Sequence, residues 1–102
     1  MLDAKAIGRR LKAIRIVSGH STLSSFAQKY RIDIKRLHDL EHGVLLLSVN
    51  DDAEKYMSAI PGMTLDWIYL GNSFALPEPV RRRLVGLLES LDAPVDNGSE
   101  LS

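Results

Sequence analysis

The apolar residues of this chain recur at helical spacing in six separate segments, and no stretch alternates apolar and polar residues as a half-buried strand does. In the first segment, Ile7, Leu11 and Ile14 fall on one face of a helix. Residues that cap helices precede most of these segments, and glycine or proline follows most of them. The hydrophobic period decides which secondary structure can bury the apolar side chains, so the sequence predicts an all-α fold.

Capping residues and helix breakers set the expected limits of the six helices. In the fourth helix, Val49 is expected to share one apolar stripe with Tyr56 and Ile60. The expected starts and ends are Asp3 to Ser18-Gly19, Ser21 or Thr22 to Tyr30, Ile34 (capped by Asp33) to His42, Ser48 to Pro61-Gly62, Thr64 to Gly71-Asn72, and about Glu78 to Leu91.

Length and composition indicate one folded domain: 102 residues, 45% of them hydrophobic and 25% charged, with no cysteine. The lack of cysteine excludes disulfides, thiolate nucleophiles and cysteine-ligated zinc, and it fits a reducing cytoplasm. The longest purely aliphatic run, Val44–Leu47, is far shorter than the ~20 residues of a membrane span. No apolar stretch follows the basic residues of the N-terminus, as it would in a secretory signal. We therefore expect a cytoplasmic protein with no membrane partner.

The net charge of zero conceals a strong asymmetry along the chain. Residues 1–50 carry nine Lys/Arg and four Asp/Glu, a net charge of +5, whereas residues 51–102 carry four and nine, a net charge of −5. All three histidines lie in the basic half. Such a polarised chain favours a binding surface for an anionic partner at one end, although chance segregation of charge gives the same pattern.

The second and third predicted helices are joined by only Arg31 and Ile32 before the cap Asp33, so they must cross steeply, as in a helix-turn-helix. On the third helix, Leu37 and Leu40 point towards the core. The outward side and its flank offer groups that match base edges, since lysine suits guanine, aspartate suits cytosine and isoleucine suits the thymine methyl. A solvated polar face is the alternative. The outward and flanking residues are Ile34, Lys35, Arg36, His38, Asp39 and His42.

A longer sequence pattern supports the interpretation that the third helix contacts bases. Phe26-Ala27 in the second helix, the turn residue Ile32, the cap Asp33 and the run LHDLEHG at 37–43 follow one another at fixed spacing. Together with IGRRLKAIRIVSG before them and TLDWIYLGN after them, they resemble the DNA-binding domains of phage-repressor-type (XRE-family) transcription regulators over about residues 4–72. The resemblance implies five helices in the repressor-like arrangement, and a sixth helix at the C-terminus extends it.

The resemblance also implies a role for particular residues. Base contacts are expected from Ile34, Lys35 and Asp39, to which we add His38 from the outward face. A structural ion pair is expected between Arg15 and Glu41, because an acid near the C-terminus of a helix needs a cationic partner. Phosphate contacts are expected from Lys29 and Arg36, and we add Arg31 and His42. The expected partner is double-stranded DNA and the expected function is transcription control.

Several residues depart from the family pattern. Arg31 stands where glycine is usual, which predicts either a strained left-handed residue or a different turn. Leu23 replaces a glutamine that holds phosphate, one residue is inserted between Gly19 and Phe26, and Asp39 would repel phosphate. These departures and the run Val44–Leu47 favour a second interpretation, a helix-turn-helix module that docks on a protein partner (an anti-regulator or an antitoxin) with weak or no DNA binding. The aliphatic run either covers the core or forms an exposed patch for that partner.

Three parts of the chain are expected from these patterns: a DNA-binding domain at 1–72, a C-terminal helix at 73–92 and a disordered tail at 93–102. The apolar stripe of the last helix must be buried, either against the first five helices or against a second copy of the chain. Because two-fold operators favour dimers, we expect a homodimer through this stripe. The stripe consists of Val80, Leu84, Leu87, Leu88 and Leu91.

Catalysis and metal binding find little support in the sequence. His38 and His42 are four residues apart, and the run HDLEH falls short of the metalloprotease pattern HExxH. His20 is the remaining candidate for a third ligand, but nothing in the pattern requires it. The sequence also has no glycine-rich phosphate loop. From these observations together, we expect neither an enzyme nor a bound metal or cofactor.

Overall fold

The computed structural model describes residues 2–49 and 51–92, so the tail predicted at 93–102 lies outside the described residues. The described residues form helices and no strand, which confirms the predicted all-α class for this part of the chain. No helix among them is long and apolar enough to cross a membrane. The helices are α1 (Ala4–Val17), α2 (Leu23–Tyr30), α3 (Ile34–Glu41), α4 (Asp51–Ala59), α5 (Leu65–Leu70) and α6 (Glu78–Asp92).

Side-chain caps begin four of these helices. The Asp3 carboxylate accepts a hydrogen bond from the Lys5 N–H at 3.0 Å at the start of α1. Thr22, Asp33 and Thr64 each accept one from the backbone N–H three residues later, at 3.1 Å in all three cases. Caps of this kind satisfy N–H groups that have no partner within the helix. They place the starts of α1, α2, α3 and α5 where the sequence predicts them.

The start of α4 differs from the prediction. This helix begins at Asp51 rather than directly after Ser48. Val49 therefore precedes the helix and is 72% exposed, so the prediction that it joins the buried stripe of α4 is wrong. A second apolar residue, Leu70, is 67% exposed because it lies roughly 200° around α5 from the buried Ile68.

α1 is the central helix of the bundle. It packs against α3, α4, α5 and α6, while α2 packs on α3. The side chains that meet there are fully buried and large, so they exclude water and supply most of the hydrophobic stabilisation. The largest of them are Trp67, Tyr56, Phe26, Ile7, Leu11, Ile14, Leu37, Leu40, Leu47, Ile68 and Leu84.

α6 folds back onto α1 and shares the core of the first five helices. Leu84 is completely buried, and the Arg83 guanidinium donates a hydrogen bond to the Val17 carbonyl at the end of α1, at 3.3 Å. Val80, Leu87 and Leu88 are partly buried against the same core. The stripe that the sequence assigns to dimerisation therefore faces its own chain, and Leu84 is inaccessible to a second copy. Leu91, near the end of α6, is 37% exposed.

α1 and α3 cross in close contact at Gly8. A Cβ atom at this position would lie 2.4 Å from the Glu41 carbonyl oxygen and 2.6 Å from that of Leu40. Both atoms belong to the backbone of α3 and its end, so no side-chain rotation relieves the clash. The absence of a side chain at Gly8 thus sets how closely the third helix approaches the centre of the bundle.

Arg31 ends α2 in a left-handed conformation, with φ 56° and ψ 50°. It is the only non-glycine residue with positive φ among the described residues. Of the two outcomes that the sequence leaves open, the strained left-handed residue is the one found. Its carbonyl accepts a hydrogen bond from the Lys55 ammonium at 3.3 Å, which ties the turn to α4.

We expect Arg31→Gly to raise the free energy of unfolding by about 1 kcal/mol, because glycine adopts the left-handed conformation without the clash of a Cβ atom. Arg31→Ala is the matched control, since it removes the same side chain and keeps the strain. Chemical denaturation of the three proteins measures both effects. An equal change in the two variants would show that the side chain, and not the backbone conformation, is responsible.

Candidate nucleic-acid interface

α3 has one buried face and one exposed face. Leu37 and Leu40 point into the core and are 0% and 1% exposed. Ile34, at the start of the helix, is 49% exposed, and the Lys35 and His38 side chains are 82% and 52% exposed. Three of the residues predicted to contact bases, Ile34, Lys35 and His38, therefore lie together on the outside of α3, whose other face packs against the bundle. The fourth, Asp39, has a side chain that is only 18% exposed.

A charged network connects three of these residues. The Asp39 carboxylate accepts a hydrogen bond from the Lys35 ammonium at 3.1 Å, and it lies 3.3 Å from Nδ1 of His38. The hydrogen bond from Lys35, followed by that from His38, lowers the pKa of Asp39. Asp39 is therefore ionised at neutral pH, where it can accept a hydrogen bond from a ligand. The same charge holds the Lys35 ammonium over the face.

The two histidines of this helix stack on each other. The rings of His38 and His42 are 4.0 Å apart between centroids and inclined by 18°. Nδ1 of His42 also lies 2.8 Å from the His38 carbonyl oxygen, within hydrogen-bonding distance. His42 thus packs along the exposed face of α3 and limits the movement of His38.

His20 lies in a different environment. Its Nδ1 is 2.6 Å from the Ser25 hydroxyl, and its ring meets those of Phe26 and Tyr30 edge-on. Within residues 2–49 and 51–92, no group of three or more His, Cys, Asp or Glu side chains has an arrangement that could hold a metal ion.

The predicted phosphate-contacting residues divide into two groups. Lys29 and Arg31 are exposed at the end of α2, and the Lys29 ammonium lies 5.9 Å from the centre of the Tyr30 ring. Arg36 instead donates a hydrogen bond from Nε to the Asp52 carboxylate of α4, which raises the pKa of Arg36. This pair connects α3 to α4, and the Arg36 side chain remains 43% exposed.

Arg15 of α1 and Glu41 of α3 form a buried, two-pronged ion pair. Nε donates to Oε2 at 2.7 Å and Nη2 to Oε1 at 3.1 Å, and the two side chains are only 5% and 2% exposed. The third donor, Nη1 of Arg15, reaches the His20 carbonyl at 2.9 Å. This pair anchors the last turn of α3 to α1 and to the segment before α2, and so it fixes the orientation of the exposed face.

Tyr56, which the sequence places in the apolar stripe of α4, is electrostatically coupled to both members of this ion pair. Its side chain is fully buried, and its hydroxyl has no hydrogen-bond partner among the described residues. Burial, and next the charge of Glu41, raise the pKa of Tyr56 far above that of an exposed tyrosine. A buried hydroxyl without a partner destabilises the folded state, because it loses hydrogen bonds to water on folding.

We expect Tyr56→Phe to raise the free energy of unfolding by about 1 kcal/mol, because it removes the unpaired hydroxyl and keeps the ring. Tyr69→Phe is the control: the Tyr69 hydroxyl donates to the Leu47 carbonyl at 2.7 Å, so its loss should lower stability by a similar amount. Thermal denaturation of both variants measures the difference. Two changes of the same sign would contradict this account of Tyr56.

The pH dependence of stability follows from the same burial. The pKa of Tyr56 is raised in the folded chain, so its titration leaves stability unchanged below the ordinary tyrosine pKa of about 10. Above that pH the unfolded chain releases the proton and the folded chain keeps it, so the free energy of unfolding falls. The fall in stability at alkaline pH should therefore be smaller in Tyr56→Phe than in the unchanged chain.

Two contacts between helices had no signal in the sequence. Arg36 and Asp52 are sixteen residues apart on different helices, so no local spacing pairs them. Arg10, which the sequence offers only as one of several basic residues, donates from Nη1 to the Ile68 carbonyl at 2.8 Å and so holds α5 to α1. Both contacts depend on how the helices pack.

Comparison of the chain with protein-family models, with curated proteins and with solved structures finds no match. The functional interpretation therefore depends on the sequence pattern and on the geometry of α2 and α3.

Proposed function

We propose that this protein binds double-stranded DNA in a sequence-specific manner and controls transcription, with α2 and α3 acting as a helix-turn-helix and α3 entering the major groove. The observation that carries the proposal is the exposed face of α3. It presents an aliphatic group, a cation and an imidazole, and the Asp39 carboxylate beside them is 18% exposed. The aliphatic group, the cation and the carboxylate each have a complementary base edge.

The connection between the two helices supports this assignment. Only residues 31–33 separate α2 from α3, and both helices are capped at their starts. One side of α3 is held against the bundle by the buried ion pair of Arg15 and Glu41 and by the buried residue Leu37. The other side of α3 therefore faces outward. A recognition helix needs this arrangement, because it must reach base edges without losing its contact with the rest of the domain.

The proposal assigns a role to each of the predicted site residues. Ile34, Lys35, His38 and Asp39 remain the candidates for base contacts. Lys29 and Arg31 are exposed cations at the end of α2, where they suit phosphate contacts. Arg36 serves in this proposal to position α3 through Asp52, and His42 supports His38 by stacking. The net positive charge of residues 1–50 supplies the attraction to the phosphate backbone.

The experiment is a comparison of Lys35→Ala with Lys29→Ala by fluorescence anisotropy, on duplex fragments from the promoter region of the gene that encodes this chain. Lys35→Ala should weaken binding about 10- to 100-fold on the preferred fragment and change little elsewhere, because it removes a base contact. Lys29→Ala should weaken binding to all fragments and lower the dependence of affinity on salt, because it removes a phosphate contact.

The two variants are matched, since each removes one lysine from neighbouring helices. Circular dichroism confirms that each is folded. If both bind every duplex as the unchanged chain does, α3 is not the helix that contacts DNA. If neither variant nor the unchanged chain binds duplex DNA at low salt, the proposed function is wrong.

A second candidate function is binding to a protein partner, favoured by the exposed loop before α4. Val44, Leu46 and Val49 are 69%, 50% and 72% exposed, while Leu47 is buried. Part of the aliphatic run thus covers the core and the rest forms an exposed apolar patch, typical of protein-interaction sites. Absence of DNA binding in gel shifts with genomic fragments at two salt concentrations would favour this candidate.

A further inference from the structure

We propose that two copies of this chain pair through the outer face of α6, in an antiparallel arrangement with the two-fold axis between Val85 and Gly86. The outer face consists of Glu78, Arg82, Val85, Gly86 and Glu89. With Arg81, these residues line a shallow depression of about 420 Å³ on the surface. This proposal does not depend on the proposed DNA binding.

The outer face lies on the side of α6 that the bundle leaves open. At about 100° per residue, the buried stripe around Leu84 and the outer face around Val85 and Glu89 lie on opposite sides of the helix. Val85 is 38% exposed, although valine is usually buried. A Cβ atom added at Gly86 would meet nothing within 4 Å, so glycine is not required here by any contact inside the chain.

The charges of the outer face are self-complementary in one orientation only. In an antiparallel pair with its axis between residues 85 and 86, Arg82 lies opposite Glu89 of the second copy, and Val85 lies opposite the second Gly86. A parallel pair in register would place Arg82 against Arg82 and Glu89 against Glu89, which is repulsive. Each chain therefore supplies a cation and an anion that match the other, as a two-fold interface requires.

The partners of these charges within the chain are consistent with such an interface. The Arg82 guanidinium contacts Glu78 one turn earlier at 3.0 Å, and both side chains are largely exposed. Glu89 is exposed and has no ion-pair partner among the described residues. The pairing gives Glu89 a cation, and Gly86 leaves space for the Val85 side chain of the other copy.

The expected dimer is weak. Contact along three turns of one helix buries well under the ~800 Å² per partner of a standard interface, and exposed ion pairs add little stability. We therefore expect a dissociation constant on the order of 100 µM.

The test is sedimentation equilibrium of the full chain without DNA, from roughly 10 µM to 1 mM, which brackets the expected dissociation constant. Two charge-reversed variants are compared, Arg82→Glu and Glu89→Arg. Each should self-associate at least about tenfold more weakly, because like charges then face each other across the axis. An equimolar mixture of the two should regain the association, since each variant carries the charges that the other lacks.

Circular dichroism of the separate variants confirms folding, as both positions are exposed on a helix. Three results would overturn the proposal: a monomer at every concentration, self-association of either variant equal to that of the unchanged chain, or a mixture that stays monomeric. Because no DNA is present, failure here is distinct from failure of the proposed function.

Discussion

Replacement of Glu41 by leucine is expected to lower the free energy of unfolding by about 3–5 kcal/mol, because it leaves the Arg15 guanidinium buried without its counter-ion. Arg15 is 4% exposed and lies between α1, the end of α3 and the His20 carbonyl, so water cannot readily replace the carboxylate. Arg15→Met should destabilise the chain for the converse reason. Urea denaturation monitored by circular dichroism measures both losses.

The double variant Arg15→Met with Glu41→Leu is the decisive control. Replacing both members of a buried ion pair by apolar residues of similar size removes the desolvation penalty together with the attraction. The double variant should therefore be more stable than either single variant, with a loss of about 1–2 kcal/mol that includes the hydrogen bond to His20. Strictly additive losses would show that the two residues do not act as a pair.

Gly8→Ala is expected to lower the free energy of unfolding by about 3 kcal/mol, because the new methyl group meets backbone carbonyl atoms where α1 and α3 cross. Relief of the clash requires α3 to move away from α1, and that movement also strains the ion pair of Glu41. The effect is opposite to that of helix propensity, which favours alanine over glycine.

Gly86→Ala provides the matched comparison, since Gly86 also lies inside a helix but faces open space. This variant should be more stable than the unchanged chain by up to about 1 kcal/mol. Thermal denaturation of the two variants at low protein concentration separates the effect of the close helix crossing at Gly8 from the effect of helix propensity. Similar shifts in both would mean that the crossing at Gly8 tolerates a side chain.

The helices and their starts could be predicted from the sequence because their signals are local. Asp3, Thr22, Asp33 and Thr64 lie within three residues of the N–H groups that they cap. Ser48 is also a good capping residue, but α4 begins at Asp51, so here the local signal predicted the wrong start.

The remaining features depend on packing between distant segments. The apolar stripe of α6 predicts that this face is buried. It does not predict whether the rest of the chain or a second copy covers it, and the structure shows that Leu84 lies in the core of its own chain. The same holds for Arg36, whose sequence position suits a phosphate contact and whose partner is Asp52 of α4. In the candidate site, helical geometry is enough to predict which residues of α3 are exposed. It is not enough to predict the contacts with neighbouring helices that hold α3 in place.

The most direct test of the central claim is a nuclear magnetic resonance titration of the ¹⁵N-labelled chain with a duplex of about 20 base pairs at low salt, where non-specific binding reaches a dissociation constant of roughly 100 µM or below. Amide shifts confined to the end of α2 and to the exposed face of α3, with Lys29, Lys35 and His38 among the largest, are the result that we predict. An unchanged spectrum, or shifts confined to the apolar loop before α4 or to α6, would contradict the claim that this face of α3 contacts DNA.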